Sequence, residues 1–232
     1  MKKNLSVVLL LIMAFCLCSC GNKETEKNVV SNSNEIENTT EQDGGAILME
    51  NSESINTDVS SNIYVVYFSR ADENYGVGNI EKGNTQIVAE IIGEQLKCDT
   101  FHIETVSEYP ADYDECTEVA KKEQSDNARP ELKEFPDLTG YDTIFVGYPN
   151  WWGDMPMAMY SFLENYDWNG KTIIPFATHA GSGLSGTVGS IKNICTGADV
   201  LNGFSITGET AQNDAETTQN EVAAWLKELN IE

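Results

Sequence analysis

The chain has 232 residues, of which 41% are hydrophobic and 22% charged, an ordinary globular composition that favours one domain with extensions. It carries 14 Lys and Arg residues against 37 Asp and Glu residues, so its formal net charge is −23. Proteins bind nucleic acid through basic side chains, and this balance therefore excludes a nucleic-acid partner and favours cationic or neutral ones.

The first twenty residues have the pattern of a secretory signal. Two lysines precede an apolar run over 5–15 that is too short for a stable membrane span, and the small Ser19 precedes Cys20. The ending "LCSCG" resembles a bacterial lipobox, in which the cysteine becomes the lipid-bearing first residue of the mature protein. We therefore expect a lipoprotein signal peptide over 1–20, a lipid on Cys20, and a protein anchored at the extracytoplasmic face of the cell membrane. A plain secreted protein is the alternative.

Residues 21–61 form a polar, acidic stretch rich in Asn, Ser, Thr and Glu, with no sustained hydrophobic period. Such a composition predicts a disordered tether. The remaining residues, 62–232, number 171 (232 minus 61) and are enough for a single domain with its own core.

Three cysteines remain in this domain, at Cys98, Cys116 and Cys195. They are scattered and lack C-x-x-C spacing, so they predict neither a disulfide framework nor a zinc site. We expect small buried side chains and no bound metal.

The domain alternates between two hydrophobic patterns. Near-continuous β-branched and aromatic runs predict strands, and apolar residues at helical spacing predict helices. The predicted strands are 62–68, 100–104, 143–147, 172–178 and a weaker 200–206, and the predicted helices are 85–96, 112–124, 157–165, 185–194 and 215–229. Apolar strands that alternate with helices indicate a parallel sheet covered on both faces. Five such units predict an open doubly wound α/β sheet, with its ligand at the carboxyl ends of the strands.

The first of these ends carries Ser69 and Arg70, and an irregular excursion separates them from Gly83, Asn84 and Thr85 at the start of a helix. Free backbone N–H groups, a hydroxyl and the positive end of a helix dipole together suit a phosphate. Ordinary capping and turn formation explain the same residues equally well. Arg70 is predicted to pair either with the phosphate or with one of many local acids.

The third strand is followed by Pro149, Asn150, Trp151, Trp152 and Gly153. Large aromatic side chains on a loop usually cover something, and two adjacent ones between Pro and Gly cannot both face inward. We expect the two indoles to form a stacking wall for a planar aromatic ligand. The alternative is that one or both pack beneath the loop.

After the fourth strand the chain continues through Thr178, His179, Gly181, Ser182 and Gly183. The glycines also satisfy G-x-G-x-x-G, but that dinucleotide fingerprint belongs to the first turn and needs an acid at the end of the next strand. A glycine-rich loop that brings backbone close to a flat ligand is favoured instead. His179 either touches the ligand or has a structural role.

Four motifs in register resemble the flavodoxin family: "YFSR" at 67–70, "GNT" at 83–85, "PNWWG" at 149–153 and "THAGSG" at 178–183. The resemblance covers nearly all of 62–232 and implies five parallel strands in the order 2-1-3-4-5 with helices on both faces. It also implies noncovalent FMN as the cofactor.

Within this resemblance, Ser69, Asn84 and Thr85 carry over as phosphate-loop residues, although the long first loop departs from the short run of the usual flavodoxin. The aromatic and glycine loops would hold the ring, with backbone around 150–153 against its redox-active nitrogen.

Two functional classes are open at this stage. The first is an FMN electron carrier or an FMN-dependent NAD(P)H or quinone oxidoreductase, and the second is a noncatalytic lipoprotein that keeps the fold without flavin. Residues 62–232 hold 28 acids and 10 bases, a net charge of −18, which predicts a strongly reducing flavin and a basic or membrane-bound redox partner.

Overall fold

The computed structural model of the protein describes residues 62–231. The predicted signal peptide, the lipidation site at Cys20 and the tether over 21–61 lie outside the described residues.

The described chain alternates strands and helices in the predicted rhythm. The strands are β1 (Ile63–Phe68), β2 (Asp72–Asn74), β3 (Gly78–Ile80), β4 (Asp99–Ile103), β5 (Thr143–Pro149), β6 (Thr172–His179), β7 (Asp199–Val200) and β8 (Phe204–Thr207). The helices are α1 (Asn84–Leu96), α2 (Tyr113–Asp126), α3 (Met157–Leu163), α4 (Thr187–Ile194), α5 (Gly208–Asn213) and α6 (Ala215–Glu228).

The central sheet is entirely parallel and runs β4-β1-β5-β6, with β7 and β8 both pairing with β6. In the order of the predicted strands this is 2-1-3-4-5, so the expected doubly wound topology is confirmed.

The prediction of one continuous fifth strand over 200–206 is wrong. The strand is split into β7 and β8, and the break lies opposite Ile174 and Pro175 of β6. Proline has no N–H to contribute to the sheet ladder. Gly203 crosses this break so closely that an added Cβ would lie 2.8 Å from the Pro175 carbonyl oxygen.

Two further elements were not predicted. The excursion after β1 contains an antiparallel hairpin of β2 and β3, in which Asp72 pairs with Ile80 and Asn74 with Gly78. The short helix α5 follows β8 directly, and the Thr207 hydroxyl oxygen caps it by accepting from the Thr210 N–H at 3.0 Å.

Hydrophobic cores lie on both faces of the sheet. Successive strand residues point to opposite faces, so Val65 and Phe145 pack on one side, whereas Val66 and Val146 pack on the other. All four side chains are fully buried. This explains why β1 and β5 are apolar throughout, and burial of each such side chain contributes about 1.5–3 kcal/mol.

The three cysteines of the described chain are free thiols, with Cys116 and Cys195 buried and Cys98 half-buried. Burial raises the pKa of Cys195 to about 12 and that of Cys98 to about 11, so both thiols stay protonated. Within 62–231, no group of three His, Cys, Asp or Glu side chains is placed to hold a metal ion. None of the helices in this part of the chain is both long and apolar enough to cross a membrane.

Candidate functional site

A cleft of about 290 Å³ lies at the carboxyl ends of the central strands, and its volume is at the lower end of the usual range for small-ligand sites. Its walls come from six separate segments of the chain. They are the hairpin tip (Asn74, Tyr75, Gly76), the start of α1 (Asn84), the start of α2 (Tyr113), the loop after β5 (Pro149, Asn150, Trp151), the loop after β6 (Thr178, His179, Ala180, Gly181) and the start of α5 (Thr207, Gly208, Glu209). The structure therefore brings the three predicted loops together.

Ser69 and Gly83 join the two ends of the long first loop beside this cleft. The Ser69 hydroxyl oxygen accepts a hydrogen bond from the Gln86 N–H at 3.0 Å, which ties the end of β1 to the first turn of α1. A Cβ at Gly83 would lie 2.2 Å from the Ser69 Oγ and 2.5 Å from the Arg70 carbonyl oxygen. Only glycine permits this approach, which brings the two ends of the long first loop together.

Thr85 and Asn84 face inward from the start of α1. The Thr85 hydroxyl is buried and shares a 2.8 Å hydrogen bond with the Thr178 hydroxyl. This bond links the start of α1 to the end of β6. The Asn84 Oδ1 atom is buried in the wall of the cleft and has no hydrogen-bond partner among the described residues. Asn84 packs against Gly208, where a Cβ would lie 2.4 Å from its Nδ2.

This end of the cleft suits a phosphorylated, hydroxyl-bearing ligand. The first N–H groups of α1 lack intrahelical partners, and the helix dipole favours negative charge there. The orphaned Asn84 Oδ1 needs a donor, which a ligand hydroxyl supplies. The residues present therefore fit the phosphate and the hydroxylated chain of FMN.

Arg70 lies outside the cleft. Its guanidinium donates to the Pro110 carbonyl oxygen at 2.6 and 3.0 Å, to that of Ala111 at 2.6 Å and to that of Glu73 at 2.6 Å. Its observed partners are thus backbone carbonyls rather than the acidic side chains considered as one alternative. These bonds hold the hairpin against the segment that precedes α2.

The two adjacent tryptophans lie on a tight turn that separates their side chains. Trp151 and Asp154 pair across the turn through backbone bonds of 2.8 and 3.1 Å, while Trp152 and Gly153 adopt φ values of +55° and +80°. Trp151 lines the cleft and packs edge-on against Phe68 and Tyr109, with ring centroids 5.5 and 5.1 Å away.

Trp152 is 53% exposed. Its Nε1–H donates to the Thr117 carbonyl oxygen at 3.1 Å, and the Lys121 Nζ lies 5.1 Å from the ring centroid. Trp152 therefore covers α2 and does not line the cleft. Both indoles line a second pocket beside the cleft.

A smaller side pocket of about 180 Å³ lies between α2 and the tryptophan turn. Trp152 and Arg70 line it, and it shares Asn74, Tyr113 and Trp151 with the cleft. The side pocket thus adjoins the cleft along a common wall.

Asn150 connects the tryptophan turn to the glycine loop. Its Nδ2 donates to the Gly183 carbonyl oxygen at 2.8 Å and to the Ser185 hydroxyl oxygen at 3.0 Å, and its Oδ1 accepts from the Gly153 N–H at 3.1 Å. The Ser182 carbonyl oxygen in turn accepts from the Ser185 hydroxyl at 3.2 Å. Gly153, Ser182 and Gly183 therefore hold the loops in place from positions that do not line the cleft.

The mouth of the cleft carries an aromatic pair that the sequence did not predict. Tyr75 at the hairpin tip is 65% exposed, and its ring lies 6.0 Å from that of Tyr113 at the start of α2. Thr207, Gly208 and Glu209 were also missed, although the rule that ligands bind at the carboxyl ends of strands applies equally to the loop after the fifth strand.

Comparison with known proteins agrees with this geometry. A crystal structure of a candidate flavoprotein from Bacteroides eggerthii is 25% identical, covers 74% of this chain and 99% of its own, and has a TM-score of 0.58. One from Bacteroides uniformis is 27% identical, covers 72% of this chain and 98% of its own, and has a TM-score of 0.57. A flavoprotein from Lactobacillus acidophilus in complex with FMN is 20% identical over 65% of this chain and 95% of its own, with a TM-score of 0.49. No curated protein matches the sequence. A family model described as flavodoxin matches residues 64–229, and the chain therefore belongs to the flavodoxin family.

Proposed function

We propose that this protein is an FMN-binding electron-transfer flavoprotein, held by lipid at the outer face of the cytoplasmic membrane. The observation that carries the FMN proposal is the cleft itself, in which the start of α1 and the orphaned Asn84 Oδ1 face the glycine and tryptophan loops. Membership of the flavodoxin family supports FMN as the cofactor.

The residues that would hold the phosphate are those at the start of α1. The backbone N–H groups of Asn84 and Thr85 lie at the positive end of a 13-residue helix, where anions are stabilised. Gly83 and Ser69 shape this end through their close contact. The ring would lie between the backbone of the loop after β5 and that of the loop after β6. Bound there, FMN supplies one-electron and hydride chemistry.

The charge of the domain bears on the reduction potential of bound FMN. Residues 62–232 carry 28 acids and 10 bases, a net charge of −18, and nearby negative charge makes the addition of an electron to the site less favourable. We therefore infer that bound FMN is a relatively strong reductant. The same charge would attract a basic partner to the cleft mouth, with a rate that falls as salt rises.

FMN binding is tested by titration of the purified protein. We expect saturable quenching of flavin fluorescence, and at 100 times Kd a stabilisation of about 2.7 kcal/mol, which raises Tm by roughly 5–10 °C for a domain of this size. Riboflavin, which lacks the phosphate, should bind more weakly if α1 holds that group. Linear, unsaturable quenching would instead favour a noncatalytic module without flavin.

The choice between carrier and enzyme follows from turnover. Consumption of NAD(P)H with a quinone by the FMN-loaded protein alone would identify an oxidoreductase. Electron transfer that requires an added reductase would identify a carrier.

The proposed anchor is tested on the full chain. We expect the wild-type protein to sediment with membranes after expression in a bacterium that processes lipoproteins, because the lipid at Cys20 adds apolar area that the acidic domain lacks. Cys20→Ser removes the acceptor thiol and should either shift the protein to the soluble fraction or leave it in the membrane with its signal peptide uncleaved. Equal membrane association of both proteins, with the signal peptide removed from both, would contradict lipidation at Cys20.

A further inference from the structure

His179 closes a short hydrogen-bonded ring at the end of β6, in the wall of the cleft. Its Nδ1 accepts a hydrogen bond from the Gly181 backbone N–H at 2.8 Å. An imidazole nitrogen accepts only when it carries no proton, so the ring proton resides on Nε2. Gly181 has a φ of +111°, which other residues rarely adopt, and the bond fixes the loop in this unusual path.

The other histidine of the sequence, His102, makes a different kind of contact. Its Nε2 lies 2.9 Å from the Ser69 carbonyl oxygen, and a carbonyl oxygen can only accept, so Nε2–H is the donor. Protonation of the opposite nitrogen leaves that bond intact. Of the two histidines, His179 is thus the one whose hydrogen bond cannot survive protonation.

The surroundings of His179 favour its neutral form. Burial lowers its pKa below the ordinary value of 6.5. The neighbouring strand β8 places the uncharged Thr207 in register with it. Of the described residues that line the cleft, the other titratable side chains are Tyr75 from the hairpin, Tyr113 from α2 and Glu209 from α5. Burial raises the pKa of Tyr113, so it also stays neutral, and Glu209 is exposed.

We propose that His179 is a positioning residue that makes the FMN affinity of this protein depend on pH, because its neutral imidazole holds the glycine loop and its protonated form releases it. Once Nδ1 carries a proton, it and the Gly181 N–H are two donors facing each other. The loop must then move, and the Gly183 carbonyl that bonds Asn150 moves with it. This inference rests on the proposed FMN site.

The proposed role of the hydrogen bond between His179 and Gly181 is tested by comparing the wild-type protein with His179→Asn. The asparagine Oδ1 can replace Nδ1 as the acceptor for the Gly181 N–H, and it does not titrate. Both proteins share every other ionisable group, and both bind the same phosphate, so the ratio of their FMN Kd values isolates His179. We expect a ratio near one at about pH 8 and roughly fivefold weaker wild-type binding at about pH 5, the factor for one neutral hydrogen bond. A constant ratio across this range would overturn the proposal.

A second readout needs no flavin. In the FMN-free protein, NMR follows the titration of the His179 ring, and His179→Asn identifies its signal by removing it. We expect that titration below 6.5, with the Gly181 amide signal moving at the same midpoint. If the Gly181 amide signal does not shift while His179 titrates, the proposed pH-dependent hydrogen bond is refuted. Absence of FMN binding at every pH would refute the proposed function instead. The titration of the Gly181 amide would still decide whether protonation of His179 breaks its hydrogen bond to Gly181.

Discussion

Replacing Gly83 with alanine is expected to lower FMN affinity by about ten- to a hundredfold and the free energy of unfolding by about 1–3 kcal/mol. The new Cβ would lie 2.2 Å from the Ser69 Oγ and 2.5 Å from the Arg70 carbonyl oxygen. The hydroxyl can rotate away, but the carbonyl cannot, because the Arg70 side chain is bonded to backbone carbonyls of two segments, at Glu73 and at Pro110 and Ala111. The start of α1 must therefore yield, and the N–H groups proposed to face the phosphate move with it.

Gly189→Ala is the matched control for this substitution. Gly189 lies inside α4, and no atom of the described chain comes within 4 Å of the added Cβ. Alanine is preferred over glycine in helix interiors by up to about 1 kcal/mol, so the control should be equally or more stable and bind FMN unchanged. Titration of flavin fluorescence and urea unfolding measure both quantities. An unchanged FMN Kd in Gly83→Ala would mean that the phosphate does not bind at α1.

The sheet could be predicted because its sequence signal is redundant. β1 and β5 are buried on both faces, so apart from the first residue of β5, Thr143, they consist of apolar and aromatic residues and glycine, and the helices between them show their own period. Strand ends then locate the ligand loops without any knowledge of contacts. By this route the sequence assigned Asn84, Asn150 and His179 to the ligand loops, and all three line the cleft.

The hairpin of β2 and β3 could not be predicted in the same way. Each strand has three residues, mostly polar, and is too short to show an alternating pattern. Its position is set by distant parts of the chain, since the Glu73 N–H donates to the Ala111 carbonyl oxygen at 3.2 Å and Arg70 bonds both segments. Tyr75, carried on its tip, was missed for the same reason.

The directions of the two tryptophan side chains could not be predicted from the sequence either. The composition of the loop indicated a turn, and the turn is present. Which way each indole points depends on the positive φ of Trp152, a conformation uncommon outside glycine. That backbone angle rotates Trp152 onto α2 and leaves Trp151 against Phe68.

Alanine substitutions at these two adjacent positions should lower the free energy of unfolding by different amounts. Trp151→Ala removes a half-buried indole from its edge-on contacts with Phe68 and Tyr109, and we expect a loss of about 2–3 kcal/mol in the free energy of unfolding. Trp152→Ala removes an exposed indole with one hydrogen bond to the Thr117 carbonyl, and we expect a loss of less than about 1 kcal/mol. Urea unfolding measures both, and each variant serves as the control for the other.

The same pair separates the cleft from the side pocket as the place of the flavin ring. Trp151 lines both spaces, whereas Trp152 lines the side pocket. If the ring occupies the cleft, Trp151→Ala should weaken FMN binding by about tenfold through lost packing, and Trp152→Ala should change the Kd by less than about threefold. A tenfold or larger loss in Trp152→Ala, with stability retained, would place the ring against Trp152 instead. That result would support the stacking role first expected of this tryptophan, whose indole already lines the side pocket.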